Sequence, residues 1–196
     1  MAGLISERAR QTLERLYADD ARQRAAGLPS AVRTRNLDRE SGRFLAVSVV
    51  AAGARRIVEV GSSNGVSTIW LASGAAWTGG SVTGTELLPE RAAEANRNLA
   101  EAGLGGVAEV IAGDARATLA ASAGPIDLLF IDAEKDDYPA HFLAAVGKVR
   151  PGGLILADNV VSHDLAVYQA LLRERPDVAT VTLPLERGIE YTVKLP

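Results

Sequence analysis

Two short stretches of this chain carry most of its reactive side chains: Asp132 and Lys135 in "DLLFIDAEKDDY", and Asp158 and Asn159 in "GGLILADNVV". Each acid closes an apolar run of the kind that forms a buried parallel strand. Such sheets do their chemistry at the carboxyl ends of their strands. Three oxygen-bearing side chains and one amine would then meet at a single rim. Two carboxylates and an amide oxygen suit a hard divalent cation, whose shell of about six oxygens leaves positions for water or for substrate hydroxyls. A cation so held acidifies a bound hydroxyl, and a neighbouring amine can take up the proton.

Bringing these residues together requires a sheet with helices packed on it. Short β-rich runs alternate with alanine-rich helical stretches from about residue 43 to 175, which is the pattern of a parallel α/β sheet. Strands are predicted at 56–61, 81–86, 108–113, 126–132 and 153–158, with helices between them. The runs "IVEV", "DLLFI" and "LILA" are continuously apolar, so helices should cover both faces. Two further strand-like runs around Glu186, Arg187 and Gly188 predict a hairpin on one edge. The expected fold is a single Rossmann-like, doubly wound and mostly parallel sheet with a C-terminal antiparallel hairpin. Residues 4–26 carry a helical apolar pattern (Leu4, Leu13, Leu16, Tyr17), and "GLPSAVRTRN" reads as a connection. Residues 1–35 are therefore read as a helical appendage to a domain of residues 36–196.

Composition narrows the partners. A chain of 196 residues fits one domain that buries roughly 70% of its unfolded surface. The net charge of -3, with no block of like charge, argues against nucleic-acid or anionic-membrane binding. The absence of cysteine excludes disulfides, thiolate metal sites and cysteine nucleophiles. The longest apolar run, 44–54, is too short to span a bilayer, and "MAGLISERARQ" lacks a signal-peptide core, so a cytoplasmic protein is expected. Only three of the 21 basic residues are lysines, which makes Lys135 more conspicuous.

A second constellation points to a nucleoside. "IVEVGSSNGVSTIWLA" reads as strand, glycine-bearing turn and helix, with Gly61 and Gly65 able to admit a ligand close to the backbone. A helix beginning near Gly65, with Ser67 in its first turn, offers free N–H groups to a carboxylate. Glu86 ends the second strand 25 residues after Gly61, where an acid can accept hydrogen bonds from ribose hydroxyls. Glu59, flanked by Val58 and Val60, is costly to bury unless its oxygens find donors, and a ligand amine is one candidate.

The set "VEVGSSNGVST", "GTELLPERAAEANRNL", "GDA" at 113–115, "FIDAEKDDY" and "GGLILADNV" resembles the cation-dependent O-methyltransferases of the catechol and caffeoyl-CoA type, which use S-adenosylmethionine. The resemblance covers about residues 36–196. It implies that Glu59, Gly61 and Ser67 hold the methionine part of the cofactor, with Ser62, Ser63 and Gly65 in the same turn. Glu86 with Leu87 would hold the ribose, and Gly113, Asp114 and Ala115 the adenine edge. Asp132 would lie between cofactor and metal. Asp132, Asp158 and Asn159 would bind a divalent cation, usually magnesium, with Lys135 as catalytic base beside Asp132. Val66 stands where the family commonly has tyrosine, and residues 1–35 match weakly.

The implied acceptor is a small catechol-like or vicinal-diol molecule. Two other functions share this fold: a module that binds S-adenosylmethionine without turnover, and an NAD-linked oxidoreductase, against which the missing G-x-G-x-x-G counts. Segment 4–26 offers either a homodimer interface or a cover for the chain's own core. Asp136 and Asp137 are expected at the surface, and Trp70 in the core. Trp77 is expected in a loop, His141 on a helix as surface or packing, and His163 near the substrate entrance. Two histidines at this spacing make no zinc site.

Overall fold

In the computed structural model, which describes residues 3–29, 32–122 and 124–196, the chain builds one seven-stranded sheet with helices on both faces. In chain order the elements are α1 (Glu7–Ala25), α2 (Arg39–Ala51), β1 (Arg56–Val60), α3 (Val66–Thr78), β2 (Ser81–Glu86), α4 (Pro89–Glu101) and β3 (Ala108–Ala112). They continue with α5 (Ala115–Ala121), β4 (Ile126–Ile131), α6 (Tyr138–Ala145), β5 (Val149–Asp158), α7 (Ala166–Arg173), β6 (Val178–Leu183) and β7 (Ile189–Lys194). The spatial strand order is β3-β2-β1-β4-β5-β7-β6, parallel throughout except at β7, which runs antiparallel to both β5 and β6. The Rossmann-like sheet and its terminal hairpin are as the sequence predicts.

Alternation along each strand explains the continuous apolar runs. Ile57, Leu128, Phe130, Leu154 and Leu156 pack against α1 to α4, whereas Val58, Val60, Leu129, Ile131 and Ile155 pack against α5 to α7. Either face alone would leave half of these side chains in water, at a cost of about 1.5–3 kcal/mol for each large one. The N-terminal helix α1 contributes Ala9, Leu13 and Leu16 to the first of these layers. Ser6 starts it by accepting the Ala9 N–H at 3.1 Å. Asp38 starts α2 in the same way through the Ser41 N–H at 2.8 Å, so this helix begins four residues earlier than the apolar pattern suggests.

At the amino end of the sheet, away from the candidate site, Asp127 ties three strands. Its carboxylate accepts the backbone N–H groups of Arg55 and Arg56, each at 2.8 Å, and the Arg150 guanidinium. Burial works to raise its pKa, but these donors outweigh burial and hold it below the usual carboxylate value. Arg150 lies in a β5 that starts at Val149, earlier than predicted, because the Pro-Gly-Gly stretch is absorbed as an irregularity in the pairing with β4. Trp70 is in the core as expected. Trp77 is in the last turn of α3 rather than in a loop, exposed, with its indole donating to the Gly3 carbonyl at 3.0 Å.

Candidate active site

The strand order reverses between β1 and β4: the chain leaves β1 for β2 on one side and β4 for β5 on the other. Ligands of open α/β sheets bind in the crevice that such a reversal opens at the carboxyl edge. Here the turns after β1 to β5, the segment before α2 and the β6–β7 turn enclose a cavity of about 660 Å³, large enough for a cofactor and a small second molecule.

One half of the cavity is built from the ends of β1, β2 and β3. Gly61 has φ +89°, and a Cβ there would lie 2.1 Å from the Asp132 carbonyl oxygen. Gly65, the residue before α3, has φ +91°, and its missing Cβ faces Ala95 of α4 at 3.2 Å. Both glycines make room for neighbouring protein, and Gly61 also lines the cavity. The Glu86 carboxylate accepts the Ser63 N–H at 2.8 Å and the Leu88 N–H at 3.0 Å, which fixes it at the cavity wall. Leu87, Gly113, Asp114 and Ala115 line the same side. Asp114 also caps α5 through the Arg116 N–H at 2.8 Å and pairs with the Arg116 guanidinium.

Glu59, Ser62, Gly65 and Ser67 stand behind this wall. Glu59 is fully buried, with one oxygen accepting the hydroxyls of Ser62 and Thr68, while the other has no hydrogen-bond partner among the described residues. Burial raises its pKa, opposed by the hydroxyls of Ser62, Ser67 and Thr68 and reinforced by the charge of Asp132. The costly acid noticed in the sequence is thus partly satisfied from within the protein.

The other half is built from the ends of β4 and β5. A one-turn 3₁₀ segment, Lys135–Asp137, follows β4 and swings Lys135 back over the strand end. Its Nζ donates to Asp132 Oδ1 at 2.9 Å and to Tyr138 Oη at 2.7 Å. Tyr138 Oη in turn donates to the Asp158 carbonyl at 3.2 Å. Tyr138 is fully buried and links the two reactive stretches, a role not expected from the sequence. The readable signal was the Lys135-to-Tyr138 spacing, which puts both side chains on one side of a helical turn.

Asp158 is only 3% exposed. Its Oδ2 accepts the Asn159 amide at 2.8 Å, and its Oδ1 is buried with no hydrogen-bond partner among the described residues. Burial, and then the charge of Asp132, push its pKa up to about 7. Asn159 has φ +68°, a left-handed conformation that asparagine tolerates better than most residues. An orphaned carboxylate oxygen on an acid that feels the charge of a second carboxylate is what a cation would relieve, so these residues fit a divalent ion. The donor set is two acids and an amide. Among the described residues no three His, Cys, Asp or Glu side chains gather as a metal cluster.

His163 and Arg187 line the cavity on this side, as does Asp38. His141 is on α6 and buried, the packing alternative of the two expected for it, and burial lowers its pKa. Asp136 and Asp137 are exposed, as expected.

A family model described as "Methyltransferase domain" matches residues 58–160, just over half of the chain, running from β1 to the residue after Asn159. A catechol O-methyltransferase of Niastella koreensis is 37% identical over 155 residues, 74% of this chain and 68% of that protein. The chain belongs to the S-adenosylmethionine-dependent O-methyltransferases. A second catechol O-methyltransferase, from Mycobacterium tuberculosis, is 43% identical over 123 residues, 62% of this methyltransferase and 56% of that protein. The match thus spans little more than half the length of that relative. The crystal structure of an O-methyltransferase from Bacillus cereus in complex with S-adenosylhomocysteine superposes with a TM-score of 0.80 at 31% identity, covering 94% of this chain and 90% of that one. Membership in this family sets aside the NAD-linked reading of the fold. Among the described residues, no helix of this methyltransferase is long and apolar enough to cross a membrane.

Proposed function

We propose that the protein transfers a methyl group from S-adenosylmethionine to one hydroxyl of a small catechol-like or vicinal-diol acceptor, with a divalent cation, magnesium by preference, held by Asp132, Asp158 and Asn159. The observation that carries this reading is the buried, partnerless oxygen of Asp158, which lines the same cavity as Asp132 and the Glu86 wall. The names of the two relatives support the acceptor class.

In this reading Glu86 accepts the ribose hydroxyls, and the Gly113 to Ala115 turn borders the adenine. Bound by the three ligands, a divalent cation supplies Lewis acidity that favours the ionised form of an acceptor hydroxyl. Lys135, in its neutral amine form, takes the hydroxyl proton at Nζ and becomes the ammonium that pairs with Asp132, while the hydroxyl oxygen forms its bond to the methyl carbon and the carbon–sulfur bond breaks to leave S-adenosylhomocysteine. Asp132 and Tyr138 aim Nζ from two sides, so little reorganisation is needed for the proton to move. Exclusion of water would matter at this site because opposite charges cancel as the bond forms, and water would stabilise the separated charges most.

The test is a methyl-transfer assay on catechol with S-adenosylmethionine, with added magnesium and with excess chelator. Turnover that depends on magnesium is expected. Equal turnover in chelator would remove the cation from the mechanism, and failure to methylate any vicinal diol would remove the acceptor class.

A further inference from the structure

Five basic side chains line the cavity, and all but one are engaged. Arg116 pairs with Asp114, Lys135 with Asp132, and Arg35 approaches Glu134 at 3.9 Å. Arg91 donates to the Ser63 hydroxyl and the Arg33 carbonyl on the Glu86 side. Arg187, half-buried in the β6–β7 turn, makes no ion pair among the described residues. Its backbone is fixed: its carbonyl accepts the N–H groups of Val161 at 2.9 Å and Ser162 at 3.1 Å, just past Asn159. Two residues later Ile189 pairs with Asp158 across β5 and β7. Arg187 is therefore anchored to the acid-bearing edge, on the far side of β5 from Gly61, Glu86 and Gly113.

A guanidinium at a cavity wall that makes no ion-pair contact is positioned for a carboxylate brought by a ligand, since its donors match the two oxygens of that group. The nearby acids do not fill this role. Asp38 caps α2 through the Ser41 N–H. Glu186, exposed on the same turn, is an electrostatic neighbour of Arg187 but makes no ion-pair contact with it among the described residues, and its pKa is raised, first by burial and then by Asp38.

We propose that the natural acceptor bears an acid group, a carboxylate on the catechol-like ring or on a short chain from it, and that Arg187 binds that group. The inference rests on the acceptor class proposed above and narrows it. The test compares kcat/KM for 3,4-dihydroxybenzoate and for its isosteric amide, in the wild type and in Arg187→Gln and Arg187→Lys. The acid should be preferred by about ten- to a hundredfold in the wild type, as expected for a charge-assisted hydrogen-bonded pair. That ratio should fall to near one in Arg187→Gln and be partly retained in Arg187→Lys, and high salt should compress the wild-type ratio. Turnover of both compounds without preference, or a preference surviving in Arg187→Gln, overturns the role of Arg187 while leaving catechol methylation standing. Turnover of neither, with S-adenosylhomocysteine still bound, overturns both.

Discussion

Replacing Tyr138 with phenylalanine isolates the contribution of one hydroxyl. The ring would keep its packing, including the edge contact with Tyr168 at 5.6 Å between centroids, so the fold should survive. Two hydrogen bonds are lost: one from the Lys135 ammonium at 2.7 Å and one to the Asp158 carbonyl at 3.2 Å. A hydrogen bond to a charged group contributes about 1.5–3 kcal/mol and a neutral one about 0.5–1.5. Lys135 is partly exposed and can recover some hydration, so the lower ends apply and a stability loss of about 2 kcal/mol is expected. With one of its two tethers gone, Nζ can leave the acceptor hydroxyl, and misplacement of about 1 Å is enough to slow a step by about a hundredfold. Single-turnover methyl transfer should therefore fall about ten- to a hundredfold, while titration with S-adenosylhomocysteine gives an unchanged affinity. The reasoning is refuted if the variant loses stability in urea but methylates at the wild-type single-turnover rate, because the hydroxyl would then be structural only.

Asp158→Ala should abolish turnover while keeping cofactor affinity. In the wild type, magnesium at ten times its Kd should raise stability by about 1.4 kcal/mol, seen as a higher melting temperature that the variant does not show. An equal magnesium shift in both proteins would place the ion elsewhere. Asp127→Ala strips the partner from two backbone N–H groups and a guanidinium, and a loss of about 2–4 kcal/mol in urea unfolding is expected; an unchanged midpoint would mean water replaces the carboxylate. Asp177 has its pKa lowered to about 2 by Arg175 first, with Lys194 adding to the effect. Because the folded pKa is the depressed one, its contribution is complete above the unfolded value near 4 and disappears as pH falls through about 2. The stability difference between wild type and Asp177→Asn should therefore shrink between pH 5 and pH 2, and a difference independent of pH would contradict this.

Strand positions were readable because each central strand feeds side chains to two helical layers, which leaves long apolar runs such as Leu128 to Ile131 with no other use. The reactive stretches were readable for a related reason: Asp132 and Asp158 are charges placed where those runs stop. Properties set by contacts distant in sequence were not. That Gly61 yields to the Asp132 carbonyl, 71 residues on, depends on the pairing of β1 with β4. The link from Tyr138 to the Asp158 backbone depends likewise on the packing of α6 against the sheet. Helix limits also escaped where the capping residue lies outside the apolar pattern, as Asp38 does for α2.

The contact between Gly61 and the Asp132 carbonyl has a consequence for how such a protein can diversify. The turn after β1 and Asp132 abut with no side chain between them, so their separation is set by the pitch of neighbouring β-chains, about 4.8 Å. Mutation at the rim, at positions such as Arg187 or His163, can retune which molecule is admitted without disturbing that dimension. Substituting Gly61 would instead spread the two chains and penalise every acceptor alike.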